Sequence, residues 1–361
     1  MYPLLLNGVE RITRSNAGAL VLTALLCATA PAKVLAQDPP GSGVGEFRGG
    51  QSTDYPAWFK DSFLEFEDDV AEAAQAGRRV LLFFTQDNCP YCHALVTRNL
   101  SQKQIEDKVR GNFDVIQINI WGDREVVSLD GRTYSEKEFA RVLGIQFTPT
   151  LIFLDETGAA VLRLNGYQPP HQFETALDFV SGHMEKETSY RDYLAERRPH
   201  PASDRLHAES FFMAPPHDLS ATAAGNRPIA VFFEQAQCPN CDTLHERVLA
   251  DQETRSVIRQ FASVQLDMWS DTAIRTPAGD DTTARRWADE LGVQYAPTII
   301  LFSPNGDEII RSEAYFKIFH NQTMFNYVLS GRYRSEPSFQ RYLTERADHI
   351  RAQGRDVDIW Q

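Results

Sequence analysis

Residues 82–92, LFFTQDNCPYC, determine how the rest of the chain is interpreted, because the same pattern returns at residues 231–241 as VFFEQAQCPNC. Each copy has an apolar run, a short polar stretch and a Cys-Pro-X-Cys motif. An uninterrupted apolar run is typical of a strand that is buried on both faces of a sheet. Proline fits the first turn of a helix, because the N–H it lacks has no acceptor there. Each copy therefore predicts a buried strand followed by a helix that begins at a Cys-Pro pair.

The repeat extends well beyond these two motifs. Further matches recur at shifts of 148 and 149 residues: QINIWGD (117–123) with QLDMWSD (265–271), LGIQFTPT (143–150) with LGVQYAPT (291–298), and YLAER (193–197) with YLTER (342–346). This period is far longer than the 20–50 residues of solenoid repeats. The sequence thus predicts a tandem duplication of one domain.

Strand and helix patterns alternate within each half. In the first half we predict strands over 80–84, 115–120, 151–154 and 160–164 and a helix over 171–180. The segments 190–197 and 339–346 are predicted to be amphipathic helices that pack outside each sheet. The prediction is an α/β fold with two tandem three-layer domains, 55–200 and 201–346, followed by a C-terminal tail, 347–361.

The first 36 residues have the pattern of a signal peptide. Arg11 and Arg14 precede an apolar run that Pro31 and Lys33 interrupt, which makes it shorter than the roughly 20 residues of a membrane span. We expect cleavage after Ala36, which places the mature protein outside the cytoplasm. The Gly/Ser-rich residues 37–54 are predicted to form a flexible leader.

Composition limits the classes of partner. The chain of 361 residues has a formal net charge of −13, which disfavours nucleic acid as the main partner. No other apolar run approaches spanning length, so no stable membrane insertion is expected. Five cysteines are too few for a disulfide-stapled scaffold. Four of them form the two Cys-X-X-Cys pairs, and Cys27 leaves with the signal peptide.

The position of the pairs predicts redox chemistry. A sulfur at a helix N-terminus is favoured as a thiolate by the free N–H groups and the helix dipole. The second sulfur lies one turn further, within disulfide reach, and can resolve a mixed disulfide. Cys89 and Cys238 are the predicted nucleophiles, and Cys92 and Cys241 are the predicted resolving thiols. Two alternatives are one structural zinc site built from both pairs and two inert disulfides.

The motifs of the first half resemble those of thioredoxin-related proteins of the SoxW type. The similar residues are FF (83–84), CPYC (89–92), IWGDRE (120–125), FTPT (147–150) and GY (166–167). The resemblance is close over about 55–200 and weaker over 205–346. It implies a thioredoxin fold and a periplasmic thiol:disulfide oxidoreductase that reduces exported proteins. It also implies a membrane thiol-electron conduit as the electron source, and neither metal nor cofactor is expected.

The resemblance also implies further site residues. Pro149 and Pro297 would be the cis-prolines opposite the cysteines, and Thr148 and Ala296 would pair with the substrate strand. Phe83 and Phe232 stand where thioredoxin has a buried aspartate six residues before the first cysteine.

Glu234 is the candidate proton acceptor in the second half, because strand alternation places it on the face of Phe232. The alternative for Glu234 is a solvated carboxylate at the end of the strand.

For the whole chain, the chemistry alone also permits a disulfide oxidase or isomerase. A thioredoxin-fold binding or chaperone module is the alternative from another class.

Overall fold

The computed structural model describes residues 43–197, 205–220 and 224–360. The predicted signal peptide and Cys27 therefore lie outside the described residues. In chain order the elements are β1 (Phe47–Arg48), α1 (Phe66–Gln75), β2 (Arg79–Thr85), α2 (Pro90–Ala94), α3 (Lys103–Asn112), β3 (Phe113–Asn119), β4 (Glu125–Val127), β5 (Thr133–Ser135), α4 (Glu136–Val142), β6 (Thr150–Leu154), β7 (Ala160–Asn165), α5 (Pro170–Ser181), α6 (Tyr190–Glu196), β8 (His217–Asp218), β9 (Ile229–Glu234), α7 (Pro239–Thr243), α8 (Gln252–Ile258), β10 (Ala262–Asp267), β11 (Ala273–Arg275), β12 (Asp281–Thr283), α9 (Ala284–Glu290), β13 (Thr298–Phe302), β14 (Glu308–Ser312), α10 (Ile318–Leu329), α11 (Phe339–Ala352) and β15 (Val357–Asp358).

Each half is built on a four-stranded mixed sheet. The strand order is β3-β2-β6-β7 in the first half and β10-β9-β13-β14 in the second. In both sheets the first pair of strands is parallel and the other two pairs are antiparallel. The predicted duplication and the predicted α/β class are therefore confirmed.

Side chains of the central strand β2 alternate between two apolar layers. Leu81 and Phe83 belong to the cluster that includes residues of α3 and α5, whereas Leu82 and Phe84 belong to the cluster that includes residues of α1 and α4. Because side chains in a strand point alternately to opposite faces, a strand of uninterrupted apolar residues buries both faces. This accounts for the three layers of the first half.

The two halves share one hydrophobic core. The cluster on the α3 and α5 side of the first sheet continues into the α8 and α10 side of the second sheet, through Phe147, Phe316 and Phe339. Two smaller clusters lie on the outer faces, one in each half. The two halves therefore pack against each other through the shared cluster, which includes Cys89 and Cys92 of the first half. Cys238 and Cys241 belong to the outer cluster of the second half.

Two helices differ from the sequence prediction because they join the halves. Arg191 on α6 donates a hydrogen bond to the carbonyl of Met268 in the second half. Phe339 on α11 packs on Phe147 in the first half, with ring centroids 5.0 Å apart. α11 also continues to Ala352, past the predicted domain boundary at 346. Each helix therefore covers the other half instead of only the outside of its own sheet.

Part of the predicted leader pairs with part of the predicted C-terminal tail, which corrects the prediction of a flexible leader there. Phe47 and Arg48 pair in parallel with Val357 and Asp358, so this part of the Gly/Ser-rich segment forms a short strand instead of a flexible leader. The backbone hydrogen bonds of this pairing outweigh the preference of the Gly/Ser-rich segment for a coil.

Within the described residues, no helix combines the length and the apolar character that crossing a bilayer requires.

Candidate active sites at the two Cys-X-X-Cys motifs

The first cysteine of each pair caps a helix. Cys89 precedes α2 and its Sγ accepts a hydrogen bond from Cys92 N at 3.0 Å. Cys238 precedes α7 and its Sγ accepts one from Cys241 N at 3.1 Å. Both pairs form disulfides, Cys89–Cys92 and Cys238–Cys241. An N–H group aimed at the sulfur stabilises a thiolate when the disulfide is reduced, because the helix N-terminus carries partial positive charge.

The residue before each first cysteine adopts a left-handed backbone. Asn88 has φ 54° and Gln237 has φ 57°. This conformation reverses the chain between the buried strand and the helix, and asparagine tolerates it better than most residues do. Each helix then continues through one π-helical turn, Leu95–Asn99 and Leu244–Val248. The two halves thus place their cysteines by the same backbone path.

The expected cis-proline geometry is confirmed in both halves. The Thr148–Pro149 and Ala296–Pro297 peptide bonds are cis. Cys89 Sγ lies 3.4 Å from Thr148 Oγ1 and 3.6 Å from Thr148 O, so the proline loop and the nucleophile are adjacent. The second half has Ala296 in place of Thr148 and so has no hydroxyl group there. The substrate-pairing roles of these four residues stay predictions.

Both sites are covered. Cys89 is 2% exposed and Cys238 is 4% exposed, and Cys92 and Cys241 are also buried. Thr148 and Ala296 are buried as well. The N-terminal segment contributes to the cover of the first site, because Gln51 N donates to Asn88 O at 3.3 Å. The first cysteine of each pair is therefore almost inaccessible to solvent in this arrangement.

Glu234 is fully buried, which overturns the solvated alternative. Its two carboxylate oxygens lie 3.0 and 3.1 Å from His245 Nε2, and its Oε2 also accepts a hydrogen bond from Gln265 Nε2 at 3.0 Å. His245 Nδ1 lies 3.2 Å from Glu209 Oε1. A buried carboxylate needs such partners, since an unpaired charge in a low-dielectric interior is very costly.

Three more side chains join this network. The imidazole of His207 stacks on that of His245, with centroids 4.4 Å apart, and His207 Nε2 lies 2.7 Å from Asp242 Oδ1. Arg255 donates to Glu209 at 2.6 Å. Asp242 directly follows Cys241. His245 lies four residues after Cys241, on the same side of the helix. The network therefore adjoins the second Cys-X-X-Cys pair.

Sequence reasoning found Glu234 but missed His245. The signal was available, because a histidine one helical turn after Cys241 faces the same side as that cysteine. The equivalent positions in the first half are Thr85 and Val96, so the first site has no carboxylate or imidazole there. The two halves consequently differ in the ionisable residues at these two positions.

The pKa of His245 predicts how this network affects stability. Burial disfavours the charged imidazole, but hydrogen bonds and charge from Glu234 and Glu209 outweigh burial and raise the pKa of His245 above its usual value. A raised pKa stabilises the fold fully below the unfolded pKa of about 6.5, and this contribution is lost as pH rises through the folded pKa.

We therefore expect His245→Gln to lower the free energy of unfolding by roughly 1–3 kcal/mol near pH 6, because buried carboxylates lose a charged partner. The deficit should shrink at alkaline pH. Urea unfolding of the wild type and the variant across this pH range tests the prediction. A deficit that is constant with pH would show that the imidazole is neutral in the fold.

The match to a known domain family agrees with this architecture. The thioredoxin-like domain family matches residues 66–181 and again residues 215–328. No curated protein matches the chain. Among solved structures, a thioredoxin-fold protein from Helicobacter pylori is 26% identical and aligns over 34% of this chain and 80% of its own, with a TM-score of 0.29.

Two further solved structures illustrate the range of similar proteins. A thioredoxin from Thermus thermophilus is 24% identical over 38% of this chain and 87% of its own, with a TM-score of 0.25. The periplasmic thioredoxin SoxS from Paracoccus pantotrophus is 22% identical over 30% of this chain and 99% of its own, with a TM-score of 0.21. With both halves matched and each carrying its own Cys-X-X-Cys disulfide, the chain belongs to the thioredoxin-like domain family and contains two such domains in tandem.

Proposed function

We propose that this protein is a periplasmic thiol:disulfide oxidoreductase that reduces disulfides of exported proteins through two dithiol sites. One observation carries the proposal. In each half a disulfide-forming Cys-X-X-Cys pair begins a helix, with the first sulfur accepting an N–H hydrogen bond at the helix N-terminus. A helix N-terminus lowers the pKa of a thiol, and the thiolate is the nucleophile in disulfide exchange.

The exchange is balanced within each site. The Cys89 thiolate attacks one sulfur of the substrate disulfide, forms a mixed disulfide and releases the other substrate sulfur as a thiolate that takes up a proton. Cys92 then loses its proton, attacks Cys89 Sγ and releases the second substrate thiol. The substrate gains two electrons and two protons, and the pair becomes the Cys89–Cys92 disulfide. Cys238 and Cys241 take the same roles in the second half.

We propose Glu234 as a general base for the second site only. Its buried carboxylate, paired with His245, is the proposed acceptor of the Cys241 proton during resolution. In a chain whose first pair is replaced by serine, we expect Glu234→Gln to slow resolution about tenfold or more and to flatten its pH dependence.

Stopped-flow decay of a mixed disulfide across pH measures this step. The matched control is the chain that keeps the first pair and has the second pair replaced by serine. Thr85 occupies the equivalent position at its remaining site, so the same Glu234→Gln change should have no effect there. An unaltered pH dependence at the second site would remove Glu234 from the mechanism.

The direction of electron flow is proposed from the resemblance to SoxW-type proteins. Reduction would be fed by a membrane thiol-electron conduit, and the predicted signal peptide over 1–36 supports export. Equilibration of each pair separately with dithiothreitol, followed by alkylation and mass spectrometry, gives the two reduction potentials. Potentials near that of thioredoxin, about −270 mV, support a reductant, whereas values near −120 mV support an oxidase.

A binding or chaperone module is the second candidate. It is favoured by the low exposure of both nucleophiles, 2% for Cys89 and 4% for Cys238. The two candidates differ in turnover. Catalytic reduction of insulin by dithiothreitol supports the oxidoreductase, and partner binding without turnover supports the module.

A further inference from the structure

The two domains meet at the residues that flank their active sites. Tyr91 lies between Cys89 and Cys92, and Phe147 directly precedes Thr148 of the proline loop. Both contact Phe316, which belongs to the segment of the second domain between β14 and α10. The centroid distances are 5.2 Å from Tyr91 and 4.7 Å from Phe147. An aromatic side chain of one domain therefore occupies a site formed by the other.

Phe316 is held there as an inserted side chain. It is 2% exposed and stacks on Phe147 at an interplanar angle of 27°. A Cβ on Gly166 would come within 2.7 Å of the Phe316 ring, so glycine is needed for this close approach. The next residue, Lys317, donates its backbone N–H to Tyr91 Oη at 3.0 Å. Ring and backbone contacts of this kind are those that a bound peptide would make.

The equivalent positions meet on the other side of the interface, but their chemistry is polar. Tyr295 replaces Phe147, and its hydroxyl lies 3.3 Å from Asn165 N and 3.5 Å from Gln168 Nε2. Asn240 replaces Tyr91, and its Nδ2 donates to Gln172 Oε1 at 3.4 Å. Gln168 is the counterpart of Phe316 under the repeat shift of 148. The same arrangement thus holds an aromatic ring at the first site and amide side chains at the second.

We propose that these positions are substrate subsites, so that the first site selects peptide disulfides with an aromatic residue beside the cysteine. This inference rests on the proposed function. Phe316 and Lys317 mimic such a peptide in the chain's resting arrangement, and a substrate replaces them. The second site, with Tyr295 and Asn240, selects polar residues at the same place.

The repeat offers the control that separates the two sites. The chain with Cys238→Ser and Cys241→Ser retains only the first site, and the chain with Cys89→Ser and Cys92→Ser retains only the second. Each is reduced with dithiothreitol, freed of it and mixed with either of two short peptide disulfides, identical except for Phe or Gln next to the cysteine. The readout is the ratio of the two second-order rate constants, Phe over Gln.

We expect a ratio of about ten or more for the first-site chain, because burying an aromatic ring favours binding by at least this factor. The second-site chain should have a ratio near or below one. Exchanging the walls of the first site, Tyr91→Asn with Phe147→Tyr, should bring its ratio to that of the second site. Equal rates for both peptides at the first site would overturn the proposal.

A second variant tests displacement without altering the walls. Lys317→Pro removes the N–H that donates to Tyr91 Oη, and it introduces the residue found at the equivalent position, Pro169. Lys317 has φ −70°, which proline accepts. The rate of the first-site chain with the Phe peptide should rise about threefold to tenfold, more than the rate of the second-site chain. A fall or no change would contradict the assignment of Phe316 and Lys317 as the resident occupant.

Failure of the proposed function is distinguishable from failure of this inference. If neither chain reduces the peptides or the small disulfide 5,5′-dithiobis(2-nitrobenzoate), the oxidoreductase is excluded. The subsite is then tested by calorimetric binding of the Phe and Gln peptides, with serine in place of cysteine, to the full chain carrying Lys317→Pro. Tighter binding of the Phe peptide supports the subsite, and equal binding overturns it.

Discussion

The double variant Cys89→Ser with Cys238→Ser is expected to lose disulfide reduction by more than about a hundredfold, because a serine hydroxyl cannot act as the thiolate nucleophile. Each single variant should keep the turnover of the other domain. The measurement is the initial rate of insulin reduction by dithiothreitol at a fixed concentration of chain.

The single variants also distinguish two catalytic domains from one. If Cys89→Ser alone removes all turnover, the second pair is not catalytic by itself. If the double variant reduces insulin as fast as the wild type, both proposed nucleophiles are wrong. Near-ultraviolet circular dichroism of each variant verifies that the surrounding aromatic packing is unchanged.

The largest expected effect on stability comes from Phe339→Ala. Phe339 is fully buried on α11 and packs against Phe147 of the first domain. Its ring centroid lies 5.6 Å from that of Tyr327 in its own domain. Removing a buried phenylalanine ring lowers the free energy of unfolding by about 3–5 kcal/mol, through lost burial and the cavity left behind. Because the ring joins the two domains, we also expect the wild type to unfold in one cooperative transition and the variant to unfold in two.

Urea unfolding followed by far-ultraviolet circular dichroism and tryptophan fluorescence measures both effects. Phe63→Ala is the control, since Phe63 is 94% exposed and its loss should change the free energy by less than about 0.5 kcal/mol. A loss below about 1 kcal/mol in Phe339→Ala would contradict the shared core.

The strands of the fold were predictable because each one is a short run of apolar residues. The predicted strand 80–84 is observed over Arg79–Thr85, and the predicted helix 171–180 is observed over Pro170–Ser181. Both observed elements extend one residue beyond the prediction at each end. Buried central strands and helices with a clear apolar face are the elements that local sequence determines best.

The packing of the two domains was not predictable from the repeat. The repeat shows that Phe147 and Tyr295 are equivalent, but it does not indicate that Phe147 contacts Phe316 or that Tyr295 approaches Gln168. Such contacts depend on which faces of two similar domains meet, and local periodicity carries no information about that choice. The pairing of Phe47–Arg48 with the C-terminus was missed for the same reason, since its two strands are about 300 residues apart.

At the sites, different residues were predictable for different reasons. The cysteines followed from spacing and helix-terminus chemistry. The cis-prolines followed only from the resemblance, because few X–Pro bonds are cis. Glu234 followed from strand alternation. The spacing of His245 from Cys241 was visible in the sequence, but its contact with Glu234 is known only from the structure.

Trapping of the mixed disulfide tests the central claim most directly. The chain with Cys92→Ser, Cys238→Ser and Cys241→Ser retains only Cys89 of the four active-site cysteines, and once reduced it is mixed with a disulfide-containing protein. We predict a covalent adduct through Cys89 that mass spectrometry identifies and dithiothreitol releases, and an equivalent adduct at Cys238 in the matching variant of the second domain. The absence of an adduct at both cysteines, in folded chains with reduced thiols, would contradict the proposed nucleophiles and the oxidoreductase function.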